Sequence, residues 1–219
     1  MKNILLVEGR DDKAFVEAML GNIKVNVDTI EVNDDMKGLS ADSLSKCFDV
    51  TKNKIIKFGI KKIGIIIDQD DYDIASRLDF VNDCLKTVFN ITLDAENKIT
   101  TFYIDQFRLN IDFSCHFVKV DNVGELEGYL IKIAKSNSNY ADCLKQWREC
   151  LGNYSITDKE FRKLWVHYYV RYDTSSNDER RHGSKYCNLE YSLNNKREHW
   201  DLNSDVLQPI RNYLISFTT

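Results

Sequence analysis

The sequence predicts an α/β fold: a mostly parallel sheet with flanking helices, followed by a helical C-terminal extension. Three observations carry this. Short apolar runs alternate with amphipathic stretches through the first half of the chain. That β-α-β-α order requires crossover helices, which make successive strands parallel. The third apolar run, after Lys62, is apolar to Ile67, as a strand covered on both faces is.

The elements follow in order. Asn3–Val7 reads as the first strand, and Asp11–Leu20 as a helix capped by Asp11 or Asp12, with Gly21 just past its end. Val27–Val32 is a second strand. Ser40–Phe58 is a helix with Leu44, Phe48, Ile55 and Ile56 on one side and Gly59 at its stop. Lys62–Ile67 is the third strand and Ala75–Phe89 the next helix. Ile99–Ile104 and Ser114–Val120 read as a strand pair with an irregular connection. A helix begins in Gly124–Ala134. Tyr140–Leu151, Asp158–Tyr172 and Asp205–Phe217 are helices of the second half, and Pro209 falls where its missing N–H costs little. The domain division expected is 1–134 for the sheet domain and 135–219 for the helical region. Residues 173–199, polar and nearly free of aliphatic side chains, read as a long loop carrying Arg180, Arg181, Lys185, Lys196 and Arg197.

Composition narrows the class. The 219 residues are 43% hydrophobic and 29% charged, ordinary for a soluble globular protein. The first apolar run is too short for a signal peptide, and none approaches a membrane span. The six cysteines form no CxxC pair, which argues against a zinc site or a disulfide framework and for the cytoplasm. The net charge of −4 is uneven: residues 1–130 hold 16 basic and 23 acidic side chains, residues 131–219 hold 14 and 11. An acidic half beside a basic half suits a metal-dependent enzyme acting on a polyanion, or two solvated surfaces.

The acids sit in a pattern. The first strand ends in Glu8-Gly9, followed by Asp11 and Asp12; the third ends in Asp68, followed by Asp70, Asp71 and Asp73. In parallel sheets the active crevice lies beyond the carboxyl ends of the strands. Carboxylates gathered there, without His or Cys, favour Mg²⁺ or Mn²⁺ over zinc. Such a cation stabilises charge in phosphoryl transfer. Asp11 and Asp73 also have a simpler use as helix caps. The four histidines lack ligand spacing. Trp147, Trp165, Trp200 and the His167-Tyr168-Tyr169 run read as core.

The pairing of "VEGRDD" after the first strand with "IIIDQDD" sixty residues on resembles the Toprim domain, which is shared by topoisomerases, bacterial primases, recombination proteins and OLD-family nucleases. The resemblance covers about residues 1–130 and is nearest to small standalone Toprim proteins and the OLD nuclease branch. It implies a Toprim-like sheet, one or two Mg²⁺ or Mn²⁺ ions, and phosphodiester hydrolysis on DNA or RNA. Under it Glu8 is a general acid/base or metal ligand, and Asp68 and Asp70 are metal ligands. Asp12, one helical turn after Glu8, matches the acid that serves a second metal in the OLD branch. Gly124 and Glu127 match a G-x-x-E pattern of small Toprim proteins, which makes Glu127 a further ligand, with Glu125 beside it. If the site acts on nucleic acid, Arg180, Arg181, Lys185, Lys196 and Arg197 would contact phosphates; otherwise they line a solvated loop. Asp73 departs from the D-x-D-x-x-G of many Toprim domains. The chain has no G-x-x-x-x-G-K-[ST], so an ATPase would be a separate subunit. Two other readings stand beside the nuclease: a non-catalytic metal-binding subunit of an ATPase complex, and a nucleotidyl- or phosphotransferase.

Overall fold

A computed structural model describes residues 3–24, 30–36, 38–152 and 156–218. The chain is α/β as the sequence predicts. The sheet has five strands in the order β2-β1-β3-β5-β4. They are β1 (Asn3–Val7), β2 (Ile30–Asn33), β3 (Lys62–Asp68), β4 (Thr100–Ile104) and β5 (Leu109–Val118). The first four in that order run parallel, and β4 joins β5 as an antiparallel edge hairpin. Part of the second expected strand, residues 27–29, lies outside the described residues.

The helices that link these strands are α1 (Arg10–Asn22), α2 (Ala41–Phe58) and α3 (Ile74–Phe89). Local chemistry sets their ends. Ser40 and Ser43 form a capping box at the start of α2, and Gly59 stops it with φ +64°. Asp73 caps α3, its carboxylate accepting from the Ser76 N–H at 2.7 Å. This bond holds the Asp73 carboxyl below its ordinary range. The cap expected at Asp11 or Asp12 does not form. Gly9 is the N-cap residue of α1, and both aspartates lie within its first turn, where their charge favours the positive helix end.

Alternation along the strands divides the core. Ile4 and Leu6 of β1 and Ile63, Ile65 and Ile67 of β3 join Leu44, Phe48 and Ile55 of α2 and Val81, Leu85 and Phe89 of α3. On the opposite face lie Leu5 and Gly64. A Cβ at Gly64 would come 2.5 Å from the Leu5 side chain, 2.7 Å from the Tyr213 hydroxyl and 2.9 Å from the Phe217 ring. A glycine mid-strand weakens a sheet unless another element needs the room. Here the last helix, α9 (Gln208–Thr218), takes it, and Tyr213 shares a 3.0 Å hydrogen bond with Ser114 of β5.

The chain forms two compact units. The first comprises residues 1–124 and 208–219, the second residues 125–207. The break therefore falls ten residues before the expected boundary, and the last helix returns to the sheet. Nothing in the amphipathic pattern of α9 distinguishes packing on a distant sheet from packing on a neighbouring helix. The second unit holds α4 (Leu126–Ile133), α5 (Asn139–Cys150), α6 (Asp158–Tyr168), α7 (Asn177–Arg181) and α8 (Leu189–Asn195). The helix expected through Tyr172 ends at Tyr168 and continues as one π turn, Tyr169–Asp173. Stacked Trp165 and Tyr169 and the edge of Trp200 form its aromatic core, whereas Trp147 is exposed.

The stretch 173–199 is not the long loop the sequence suggests. Ser176 and Glu179 make a capping box that starts α7, and Asn188 caps α8. Buried Leu189, Leu193 and Trp200 anchor the region. The S-x-x-E spacing is a legible helix start, but the scarcity of aliphatic residues masks it.

Candidate functional site

The acidic edge arises from topology. From β1 the chain crosses to β2 on one side and then to β3 on the other. The carboxyl ends of β1 and β3 therefore flank the point where strand order reverses, which is where open α/β sheets form their crevice. The parallel register sets Val7 beside Ile66. Glu8 and Asp68 follow at the two strand ends, and the Asp68 N–H donates to Glu8 Oε1 at 2.7 Å. Both side chains are half-buried.

Asp12 turns back toward this edge. Its Oδ2 lies 3.5 Å from where a Cβ on residue 9 would stand, an ordinary contact. Gly9 itself is extended, with φ −159°, a conformation open to any residue.

Asp70 is held differently. Its φ of +52° is left-handed, a conformation that Asp tolerates better than most residues. Its N–H donates to the Gly124 carbonyl at 2.8 Å. A Cβ on Gly124 would sit 2.2 Å from the Asp70 carbonyl oxygen and 2.6 Å from its nitrogen, so no side chain fits there. The glycine of the G-x-x-E pattern thus seats the D-x-D turn by backbone approach. The Asp70 carboxylate forms an ion pair with Arg77, whose Nε donates to the Gln69 carbonyl at 3.3 Å. Arg77 is 5% exposed. Asp71 is exposed, and Asp73 is used as a cap.

The structure therefore brings Glu8, Asp12, Asp68 and Asp70 to one sheet edge. Their donor chemistry suits a hard divalent cation. Among the described residues, no three acidic, His or Cys side chains are arranged as a metal-binding group. The Arg77 pair accounts for Asp70: its charge is already balanced within the protein.

The remaining expected residues belong to the second unit. Glu127 lies in the first turn of α4. Burial holds its carboxyl above the ordinary value, Glu125 adds to the shift, and Lys163 and Lys159 oppose it. Glu125, 4% exposed, receives two hydrogen bonds of 3.0 Å from Arg162 Nε and Nη2. That bidentate pair gives Glu125 a structural partner. Arg180 donates to the Tyr172 and Ser175 carbonyls and to Asn177. Arg181 pairs with Asp178 at 3.1 Å, with both side chains largely exposed. Lys185 lies 5.0 Å from the Tyr186 ring centre. Lys196 is 8% exposed, with its ammonium donating to Glu179 and the Thr174 carbonyl. It is an internal tie and not a phosphate contact.

Arg77 is absent from the sequence-derived site. The usable signal is geometric: helical side chains lean toward the N-terminus, so an arginine four residues after the Asp73 cap reaches back to the strand end. His116, read as structural, is 2% exposed on β5, with Nδ1 2.8 Å from Asn97 and 3.3 Å from Glu96. All six cysteines are free. No described helix is long and apolar enough to cross a membrane.

No curated protein and no solved structure matches the chain. One family profile covers nearly all of it, from residue 2 to residue 219. The chain thus belongs to the family described as protein of unknown function DUF3226.

Proposed function

We propose that the edge formed by Glu8, Asp12, Asp68 and Asp70 binds Mg²⁺ or Mn²⁺ and hydrolyses phosphodiester bonds in DNA or RNA, in the manner of the Toprim-type nucleases that the sequence resembles. The observation that carries this reading is the 2.7 Å bond between Glu8 and the Asp68 N–H, which gathers two acids sixty residues apart at the sheet's switch point. A bound Mg²⁺ or Mn²⁺ would supply an activated water and stabilise charge on the leaving oxygen.

The chain's own residues divide the remaining work. Asp68 and Asp12 would hold the cation, with Asp70 joining to the extent that it exchanges Arg77 for the ion. Glu8 would ligate or accept the water's proton. Gly124 keeps the Asp70 turn in register. Glu127, whose burial favours the protonated form, is the further acid that the resemblance adds. A separate ATPase subunit and a cytoplasmic setting belong to the same proposal.

The test is cleavage of labelled single- and double-stranded DNA and RNA in Mg²⁺ and in Mn²⁺. The wild type should cut at least one substrate, and Asp68→Ala/Asp70→Ala should lose about 10³-fold or more in rate. No cutting by the wild type, with Mn²⁺ binding shown by calorimetry, would move the reading to the metal-binding subunit. Turnover of nucleotides alone would move it to the transferase.

A further inference from the structure

Beside the acidic edge, the 68–73 turn and the start of α3 border a crevice of about 210 Å³. It is lined by Leu39, Asp70, Tyr72, Ser76, Arg77 and Phe80. Two of its walls are aromatic. Tyr72 is 57% exposed, although its neighbours in the turn, Asp71 and Asp73, are both charged. The Arg77 guanidinium lies 4.6 Å from the Tyr72 ring centre and 5.7 Å from that of Phe80, within cation–π range of both.

The charge of this crevice decides what it takes. The guanidinium is buried and already paired with Asp70. A bare phosphate placed on Arg77 would also meet the Asp70 carboxylate, so the pair disfavours an isolated anion. What the lining offers is two aromatic rings and a leucine, with Ser76 as a polar member. A planar heterocycle satisfies both features, stacking on the rings while its edge bonds to Ser76. Asp70 belongs both to the lining of this crevice and to the proposed hydrolytic edge.

We propose that this crevice binds a nucleobase, stacked on Tyr72 and Phe80, with Arg77 as a positioning residue that fixes both the Tyr72 platform and the Asp70 turn. The choice of a nucleobase over other flat rings rests on the reading of the edge as a nucleic-acid site. The stacking chemistry is the same for a base carried by a free mononucleotide and for one carried by a strand.

The experiment uses the full chain in EDTA, so that cleavage cannot intervene. Fluorescence anisotropy compares a labelled single strand with an abasic strand of the same length and phosphate count, for wild type, Tyr72→Ala and Tyr72→Trp. Mononucleotide serves as competitor. Tyr72 is exposed, so its variants should keep their circular dichroism. The base-bearing strand should bind about tenfold or more tighter than the abasic one, a preference that Tyr72→Trp keeps and Tyr72→Ala loses. Equal affinity for the two strands in the wild type, or an unchanged preference in Tyr72→Ala, would overturn the proposal. Tyr72-dependent competition by mononucleotide, without metal-dependent cutting of any strand, would sustain the base pocket and overturn the nuclease. Asp68- and Asp70-dependent cutting with equal affinity for base-bearing and abasic strands would do the reverse.

Discussion

The acidic edge of the first unit and the charged residues of the helical unit are alike as sequence and differ as structure. Both are runs of Asp, Glu, Lys and Arg beside elements of regular structure. In the helical unit the charges close on one another. Glu125 meets Arg162, Lys196 meets Glu179, and Arg148 meets Asp158. At the edge, topology gathers acids at neighbouring strand ends: the Glu8 carboxylate accepts from the Asp68 N–H, and Arg77 reaches Asp70. Like charges held together by topology are costly unless something neutralises them. Charges paired within a helical unit are already neutralised. Charge density in a sequence therefore marks a candidate site, and the partner each charge finds in the fold decides whether it is one.

Three substitutions sharpen that difference, in decreasing order of effect. Arg162→Met should be the most damaging to stability. It leaves the Glu125 carboxylate, with only 5% of its side chain exposed, without its bidentate partner. Breaking such a pair costs about 3 kcal/mol or more. Chemical denaturation should show a lowered midpoint, and a loss below about 1 kcal/mol would mean that the pair is effectively solvated.

Gly124→Ala comes next. The added carbon meets backbone atoms of Asp70, which cannot rotate away, and overpacking of this kind costs about 1–3 kcal/mol. The same shift should displace the Asp70 turn and weaken Mn²⁺ binding. An alanine variant as stable as wild type, with undiminished Mn²⁺ affinity, would separate Gly124 from the site.

Glu127→Gln is the mildest and depends on pH. Burial raises the folded carboxyl above its ordinary value of 4.5, so the folded state holds the proton more tightly than the unfolded state does. Stability is thus lost as pH rises from the unfolded value through the folded one. Glutamine does not titrate and escapes that loss. The variant should gain on wild type as pH rises above about 4.5, with the gap constant at lower pH. A pH-independent difference across denaturation curves at pH 3–7 would contradict the assignment.

How much of this is legible in the sequence follows from which forces act locally. The apolar runs that form β1 and β3 and the Ser40 and Gly59 helix signals are short-range, and the sequence displays them. Glu8 and Asp68 are legible because each sits at a strand end that the apolar run marks. The early start of β5 at Leu109 is legible too, since Leu109, Ile111 and Phe113 alternate with Asn110 and Asp112 at the period of a half-buried strand, although the expected strand begins only at Ser114. Gly64 makes sense only once α9 is seen against β3. The pairing of Asp70 with Arg77 depends on the left-handed turn that Gly124 permits, a contact across more than fifty residues. Lys196 reads as a surface cation because nothing local reveals that Glu179 and the Thr174 carbonyl enclose it.

In the proposed function the carboxylate edge, and not the basic segment, carries the chemistry. The most direct test is Mn²⁺ binding, followed by electron paramagnetic resonance and calorimetry, in wild type, Glu8→Gln, Asp68→Asn and Arg181→Ala. The wild type should bind Mn²⁺, Glu8→Gln and Asp68→Asn should each weaken binding by about tenfold or more while remaining folded, and Arg181→Ala should bind as wild type does. Absence of Mn²⁺ binding in the wild type, or undiminished binding in Glu8→Gln and Asp68→Asn, would contradict the proposed function.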